Sequence, residues 1–310
     1  MDSFHVFQEL YDLYDEVFEK AKNEKLFEFD GRLRDDFDLW HRQIHAYQRD
    51  FLHYRSHLAQ TEDEGLFDSN FYENLEMGEA VVIMDFKMKI LSGMFRQTQT
   101  DWYGQRGFSC LGVLILMPSE TNADGHEATY HLFFSGDTTQ DAEYVNTVKE
   151  YVYTYILPEY EINKVHFRCD GAGCFVAAAI KAEFAHWEER TGVIELSYKN
   201  NVPGKGKNPL DGQFGMLSQG LNNSVNSGQS FENEEELYKM CKDLPLENTF
   251  YHLLSLDRSK LNFSNDVDKA IAQLKLGRKH YLLTNTDDSV FGFTHSRHGL
   301  GESIPLLKGM

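Results

Sequence analysis

The sequence predicts an α/β protein: a mixed five-stranded sheet flanked by helices, with an N-terminal helical region and a C-terminal α+β extension. Three observations predict it. Up to about residue 60 apolar residues recur at helical spacing, and from residue 79 the pattern changes to alternating, β-branched segments. The first three of those segments have hairpin-compatible separations, and beyond them helices and strands alternate. Finally, the stretch "HFRCDGAGC" (166–174) drives a carboxylate to the end of a strand, where desolvation is costly.

Residues 1–78 form the helical region. Phe4, Phe7, Leu10, Tyr11, Tyr14, Val17 and Phe18 follow the i, i+3, i+4, i+7 rule, and a second helical run covers 35–60. Its aromatic stripe, including Trp40, Tyr47 and Phe51, is expected to pack on the core, since each buried large apolar side chain is worth roughly 1.5–3 kcal/mol. "TEDEGLFDSN" (61–70) reads as a loop, and Phe71–Met77 leads into the sheet.

The central region, 79–228, follows. Strands are expected at 79–91, 107–117 and 128–136, as an antiparallel meander. A helix over 137–160 has Asp137 or Thr138 as its N-cap and Pro158 near its end. A fourth strand covers 162–170, a helix 174–192 is stopped by Gly192, and a fifth strand covers 193–199. After a Gly-rich loop, a helix runs over 209–228. In the tail, 229–310, a helix capped by Ser230 and a second over 264–277 precede a β-hairpin around Asp287–Asp288.

The 310 residues suit one large domain or two modest ones. Forty-nine acidic against 30 basic residues give a net charge of −19, which argues against non-specific affinity for nucleic acid. The segment 198–208 is nonetheless locally basic. No run of about 18 apolar residues calls for a membrane span. The acidic, amphipathic N-terminus lacks the features of a signal peptide, so a nuclear or cytoplasmic place is expected, and not secretion. Cys110, Cys169, Cys174 and Cys241 have no zinc-like spacing and read as free thiols. "HSRH" (295–298) reads as surface histidines.

The order β-β-β-α-β-α-β-α is that of the ribonuclease H-like fold, a fold-level analogy. In such a sheet the first and fourth strands lie side by side. Here the first carries Asp85, the fourth ends in Asp170, and the last helix opens with Asp211. Three carboxylates that converge suit a site for two divalent ions roughly 3.5–4 Å apart. Mg²⁺ or Mn²⁺ fits such an all-oxygen set. Each residue also has a plainer reading. Asp170 before Gly can be a turn former, and Asp211 before a helical run an N-cap. A mid-strand Asp85 is harder to explain without a partner. Lys205 and Lys207, in a glycine-rich loop, are candidates to meet phosphates, or members of an exposed flexible loop.

"MDFKMK" (84–89), "CDGAGCF" (169–175) and "PGKGKNPLDGQFG" (203–215) resemble, in order, the motifs of a group of eukaryotic transposase-derived, integrase-like proteins. The resemblance covers roughly 80–215, and its "GKG…DG" element is the most specific part. It implies that Asp85, Asp170 and Asp211 correspond to a DDE/DDD-type metal triad. The implied activity is strand cleavage and transfer on DNA, with DNA held through a separate basic domain or partner and with room for self-association. This chain departs from the pattern at Lys87–Lys89, at "CFVA" after Asp170, at Pro203, and in the extra Lys207 and Asn208. Those departures suit the alternative of a catalytically inactive, domesticated relative that acts as a protein interaction module. A third reading is another ribonuclease H-like nuclease.

Overall fold

A computed structural model describes residues 3–29, 31–95, 98, 103, 105, 107–122, 125–184, 186–201, 209–256, 282–285, 289–293 and 303–307. The chain divides into two compact units, Met1–Gly65 and Leu66–Met310.

The first unit is helical, with α1 (Ser3–Asn23) and α2 (Leu26–Phe29) leading into α3 (Gly31–Glu73). Tyr14, Phe18, Phe27 and Phe37 pack their rings together between these helices. Two expectations are corrected here. The stretch 61–70 is helical, continuing α3 through the expected loop. Its polar residues are compatible with a helix, and no Pro intervenes to break it. The aromatic stripe is not wholly buried either: Trp40 is 49% and Tyr47 64% exposed, although Phe37 is buried.

The second unit is a mixed α/β sandwich. Its strands are β1 (Glu79–Ile90), β2 (Phe108–Pro118), β3 (His126–Ser135), β4 (Lys164–Cys169), β5 (Ile194–Asn200), β6 (Thr249–Leu253), β7 (Leu282–Asn285), β8 (Ser289–Phe293) and β9 (Ser303–Leu307). They form one sheet in the order β6-β3-β2-β1-β4-β5-β7-β8-β9. Among the first six strands only β2 is reversed: it is antiparallel to β1 and β3, whereas β4, β5 and β6 join in parallel. The five expected strands therefore form the middle of a wider sheet, and the expected C-terminal hairpin is its β7–β8 pair. β6 and β9 are additions. The helix expected over 264–277 lies outside the described residues.

Strand alternation sends side chains to two cores. Val82 and Met84 of β1 join Phe167, Tyr144 and Trp187 on one face, whereas Val81 and Ile83 join Leu210, Phe214 and Leu217 on the other. The first face is covered by α4 (Ala142–Tyr151), a π-helical and a 3₁₀ turn over 152–160, and the short helices α5 (Gly173–Val176), α6 (Ala178–Glu183) and α7 (Trp187–Thr191). The second is covered by α8 (Pro209–Asn226) and α9 (Glu234–Lys242).

Local chemistry sets the ends of these helices. α4 is capped by Asp141, whose carboxylate accepts from the Tyr144 amide at 3.0 Å. The cap is therefore neither of the two expected residues, Asp137 and Thr138; Asp137 accepts from Thr139 N in the turn before the helix. Asn233 caps α9 in place of Ser230, accepting from Glu236 N at 2.9 Å. The expected single helix 174–192 is broken at Ala177, which is extended. The break lets Phe175 and Ile180 both enter the core, which a continuous helix would place about 140° apart. Gly192 ends α7 at φ +78°, as expected.

Deep in the first core lies an ion pair. Lys149 Nζ donates to Glu195 at 2.8 Å, both side chains are wholly buried, and Tyr153 adds a bond to the same carboxylate. Lys149 also sits 4.1 Å from the Phe167 ring centroid. Burial pushes the lysine down and the glutamate up from their ordinary values, and their attraction opposes both shifts.

Candidate functional site

Asp85 stands in the middle of β1, one residue beyond the last pair with β4; it is half-buried, and its partner on β2 is Gly112. Alternation puts it on the same face as Val81 and Ile83, the face that α8 covers. Two residues on, Lys87 confirms the direction: its Nζ donates to Ser218 Oγ of α8 at 2.6 Å. α8 can press close because residue 112 is glycine. A Cβ there would come within 2.6 Å of the Phe214 ring and 3.0 Å of Leu210. The first turns of α8 thus lie over β2 directly beside Asp85.

Asp170 comes from the neighbouring strand. β1 and β4 run parallel, and their last pair is Met84 with Cys169. Asp85 and Asp170 are therefore the next residues along two adjacent strands. Backbone pairing holds β4 to its end, where Asn201 N donates to Cys169 O at 2.9 Å. The Cys169 thiol donates to Asn200 Oδ1 at 2.9 Å, and the Tyr198 hydroxyl donates to Phe175 O, tying α5 to β5. Asp170 Oδ1 then accepts from Ala172 N at 2.8 Å. The turn-former reading of Asp170 is realised, and this bond also fixes the direction of its carboxylate.

The two carboxylates act on one neighbour. The half-buried Cys174 thiol of α5 is pushed up to about 11, first by burial, then by Asp170, with a smaller contribution from Asp85. The four cysteines are free thiols, as expected.

Asp211 lies in the first turn of α8 and is exposed. It follows Leu210, which packs over Gly112, so the helix carries it to the same end of the sheet. Among the described residues, however, no three His, Cys, Asp or Glu are gathered closely enough to hold a metal ion. The donor set matches a hard divalent ion in kind, with all-oxygen ligands from the middle of one strand, the end of the next and a helix start. Its spacing is that of a neighbouring pair plus a third carboxylate on the adjoining helix. Lys205 and Lys207, and the histidines of 295–298, lie outside the described residues.

In the sequence Lys87 stands out only as a departure from a motif. In the structure it is part of the site's wall, 5.7 Å from the Phe214 ring centroid, with its pKa lowered by partial burial. From it a groove of about 440 Å³ runs along Ile90, Ser218, Asn222 and Phe231. The available signal was parity: on a strand, Lys87 must share the face of Asp85.

Residues 66–291 match a family model described as Domain of unknown function (DUF8701), and the chain belongs to that family. No curated protein and no solved structure matches it. Among the described residues no helix is long and apolar enough to cross a membrane.

Proposed function

We propose that this member of the DUF8701 family is a ribonuclease H-like phosphoryl-transfer domain acting on DNA, with Asp85, Asp170 and Asp211 as its acidic centre. The single observation that carries the reading is the parallel pairing of β1 with β4, which brings Asp85 and Asp170 to adjacent positions at one end of the sheet. The order β3-β2-β1-β4-β5, with β2 alone reversed, supports the same assignment. So does α8, whose first turn brings Asp211 towards that end.

A bound Mg²⁺ or Mn²⁺ would supply an activated water or 3′-hydroxyl and stabilise the leaving oxygen. The chain's own residues prepare for it. β1 and β4 fix the Asp85–Asp170 spacing through their backbones, and the Ala172 amide orients Asp170. Lys87, held on Ser218, faces the same wall and can meet a phosphate that extends past the carboxylates. With a net charge of −19, affinity for DNA has to come from a basic partner or a separate region.

The alternative is a catalytically silent relative that serves as an interaction module. The absence, among the described residues, of a gathered three-donor group favours it. One experiment separates the two. Adjacent carboxylates repel, and a divalent ion relieves that repulsion. Mn²⁺ should therefore raise the melting temperature of the full chain, by an amount equivalent to about 2.7 kcal/mol at a hundredfold excess over Kd. Asp170→Asn should remove most of that gain and any nicking or strand transfer. If the variant binds Mn²⁺ as tightly as the parent at moderate ionic strength, the acidic centre is not a metal site. If the parent binds Mn²⁺ tightly but cuts no DNA substrate, the silent reading stands.

A further inference from the structure

The helical unit keeps an apolar face open. Along α3 an apolar residue recurs at alternating steps of four and three from Leu33 to Leu58, the 3.5-residue period that keeps one seam turned to a partner helix. α1 carries two such seams side by side. One, with Tyr14 and Phe18, lies against α3, their rings 5.9 and 5.8 Å from that of Phe37. The other, Val6, Leu10, Leu13 and Val17, is 42–56% exposed. Beside it on α3 stand Trp40 and Tyr47, and the two helices together line an apolar groove of about 320 Å³. Farther along the α3 seam, Tyr54 and Leu58 are also exposed.

We infer that this face pairs with the same face of a second copy of the chain, so that two helical hairpins form a four-helix bundle. Self-complementarity points to a second copy. Each hairpin offers one aliphatic ridge, on α1, and one aromatic ridge, on α3. A two-fold axis sets the aliphatic ridge of each copy against the aromatic ridge of the other, satisfying both at once, as an isologous contact requires. The shared heptad spacing lets these ridges interdigitate at the shallow crossing angle of a bundle. The area is also sufficient. Aromatic side chains of roughly 150–250 Å², about half exposed, with the aliphatic ones beside them, open about 700 Å² per copy, near the roughly 800 Å² per partner of stable interfaces. The unit that carries the face ends at Gly65, and the family model begins at residue 66, so pairing belongs to a part of the chain outside that family domain.

The test is sedimentation velocity on the full chain over roughly 1–100 µM, a range that spans micromolar association. The expected result is a dimer that dissociates on dilution. Leu13→Glu and Tyr47→Glu should each weaken it at least about tenfold, as loss of a central apolar contact does. Leu39→Glu changes an exposed leucine off the seam and should leave the dimer unchanged. Far-UV circular dichroism checks that the helices persist, and the milder Leu13→Gln must shift the equilibrium in the same direction. A parent that stays monomeric throughout, whether because another protein or the chain's own second unit covers the face, overturns the inference. So does a dimer that survives Leu13→Glu and Tyr47→Glu, or one that Leu39→Glu disrupts equally.

Discussion

Among the described residues of 1–65, only Ala21 and Phe37 are buried, whereas in the second unit every residue from Ala80 to Met84 is. Both units draw on the same aliphatic and aromatic residues. The difference is architectural. Two paired helices share a single seam, so any further apolar stripe on either helix lies open until something else covers it. A strand in the middle of a sheet has helices above and below, and alternation buries both of its faces. Apolar pattern states that a face will be covered; the number of layers in the fold decides whether the chain covers it itself.

That contrast can be broken hardest at the buried ion pair. Glu195→Ala would strand Lys149 in the apolar interior of the second unit, at an expected cost of about 3–5 kcal/mol. Urea unfolding followed by tryptophan emission measures it, and Glu195→Gln, which keeps a hydrogen-bond acceptor, should cost less. A loss under 1 kcal/mol for Glu195→Ala would mean that the site is wetter than its packing indicates.

The same substitution made in both units should cost very different amounts. Leu217→Ala in α8 empties a wholly buried position against β1 and β2 and should cost about 2–5 kcal/mol. Leu39→Ala in α3, at an exposed position, should stay within about 0.5 kcal/mol. Equal losses at the two positions would mean that the two units do not differ in how they bury apolar side chains.

A smaller effect is expected from acid. His131 and His252 share a bond of 3.1 Å near β6, and His252 stacks 4.4 Å from the Phe133 ring centroid. Burial holds His131 down to about 3 and His252 to about 4. The unfolded chain protonates these rings near pH 6.5 while the folded one does not, so the unfolded state binds more protons below that pH. The contribution is fully present above about pH 6.5 and is lost as pH falls from there to about 4 for His252 and about 3 for His131. The expected decline is on the order of 2 kcal/mol between pH 7 and pH 5, and His131→Phe should flatten the profile.

Local pattern reached far into the sheet domain. β1 through β5 lie within two residues of where alternation and turn residues put them, because a half-buried strand writes its period directly into the chain. The pairing of the strands that carry Asp85 and Asp170 was expected from an analogy of element order with the ribonuclease H-like sheet, and β1 and β4 do pair in parallel. β6 was less legible. "TFYHL" is five residues long and only partly buried, and it becomes a strand by docking on β3. The continuation of α3 through 61–70 was missed because an isolated Gly65 and a polar run resemble a loop, although neither forbids a helix.

Which residues alternate, which carry helical stripes, and which carboxylates fall within or just after a strand could be read from the chain alone, since these follow from backbone geometry acting over a few residues. Tertiary structure alone decided that Lys149 meets Glu195 across 46 positions, and that the chain breaks at Ala177 so that two side chains can share one core. It also decided that glycine at 112 admits Phe214 beside Asp85, and that one seam of α1 is covered while its neighbour stays open. Each of these depends on what arrives from a distant part of the chain. A residue's burial is a property of its neighbours in space, and local spacing specifies the direction a side chain faces without specifying what it meets.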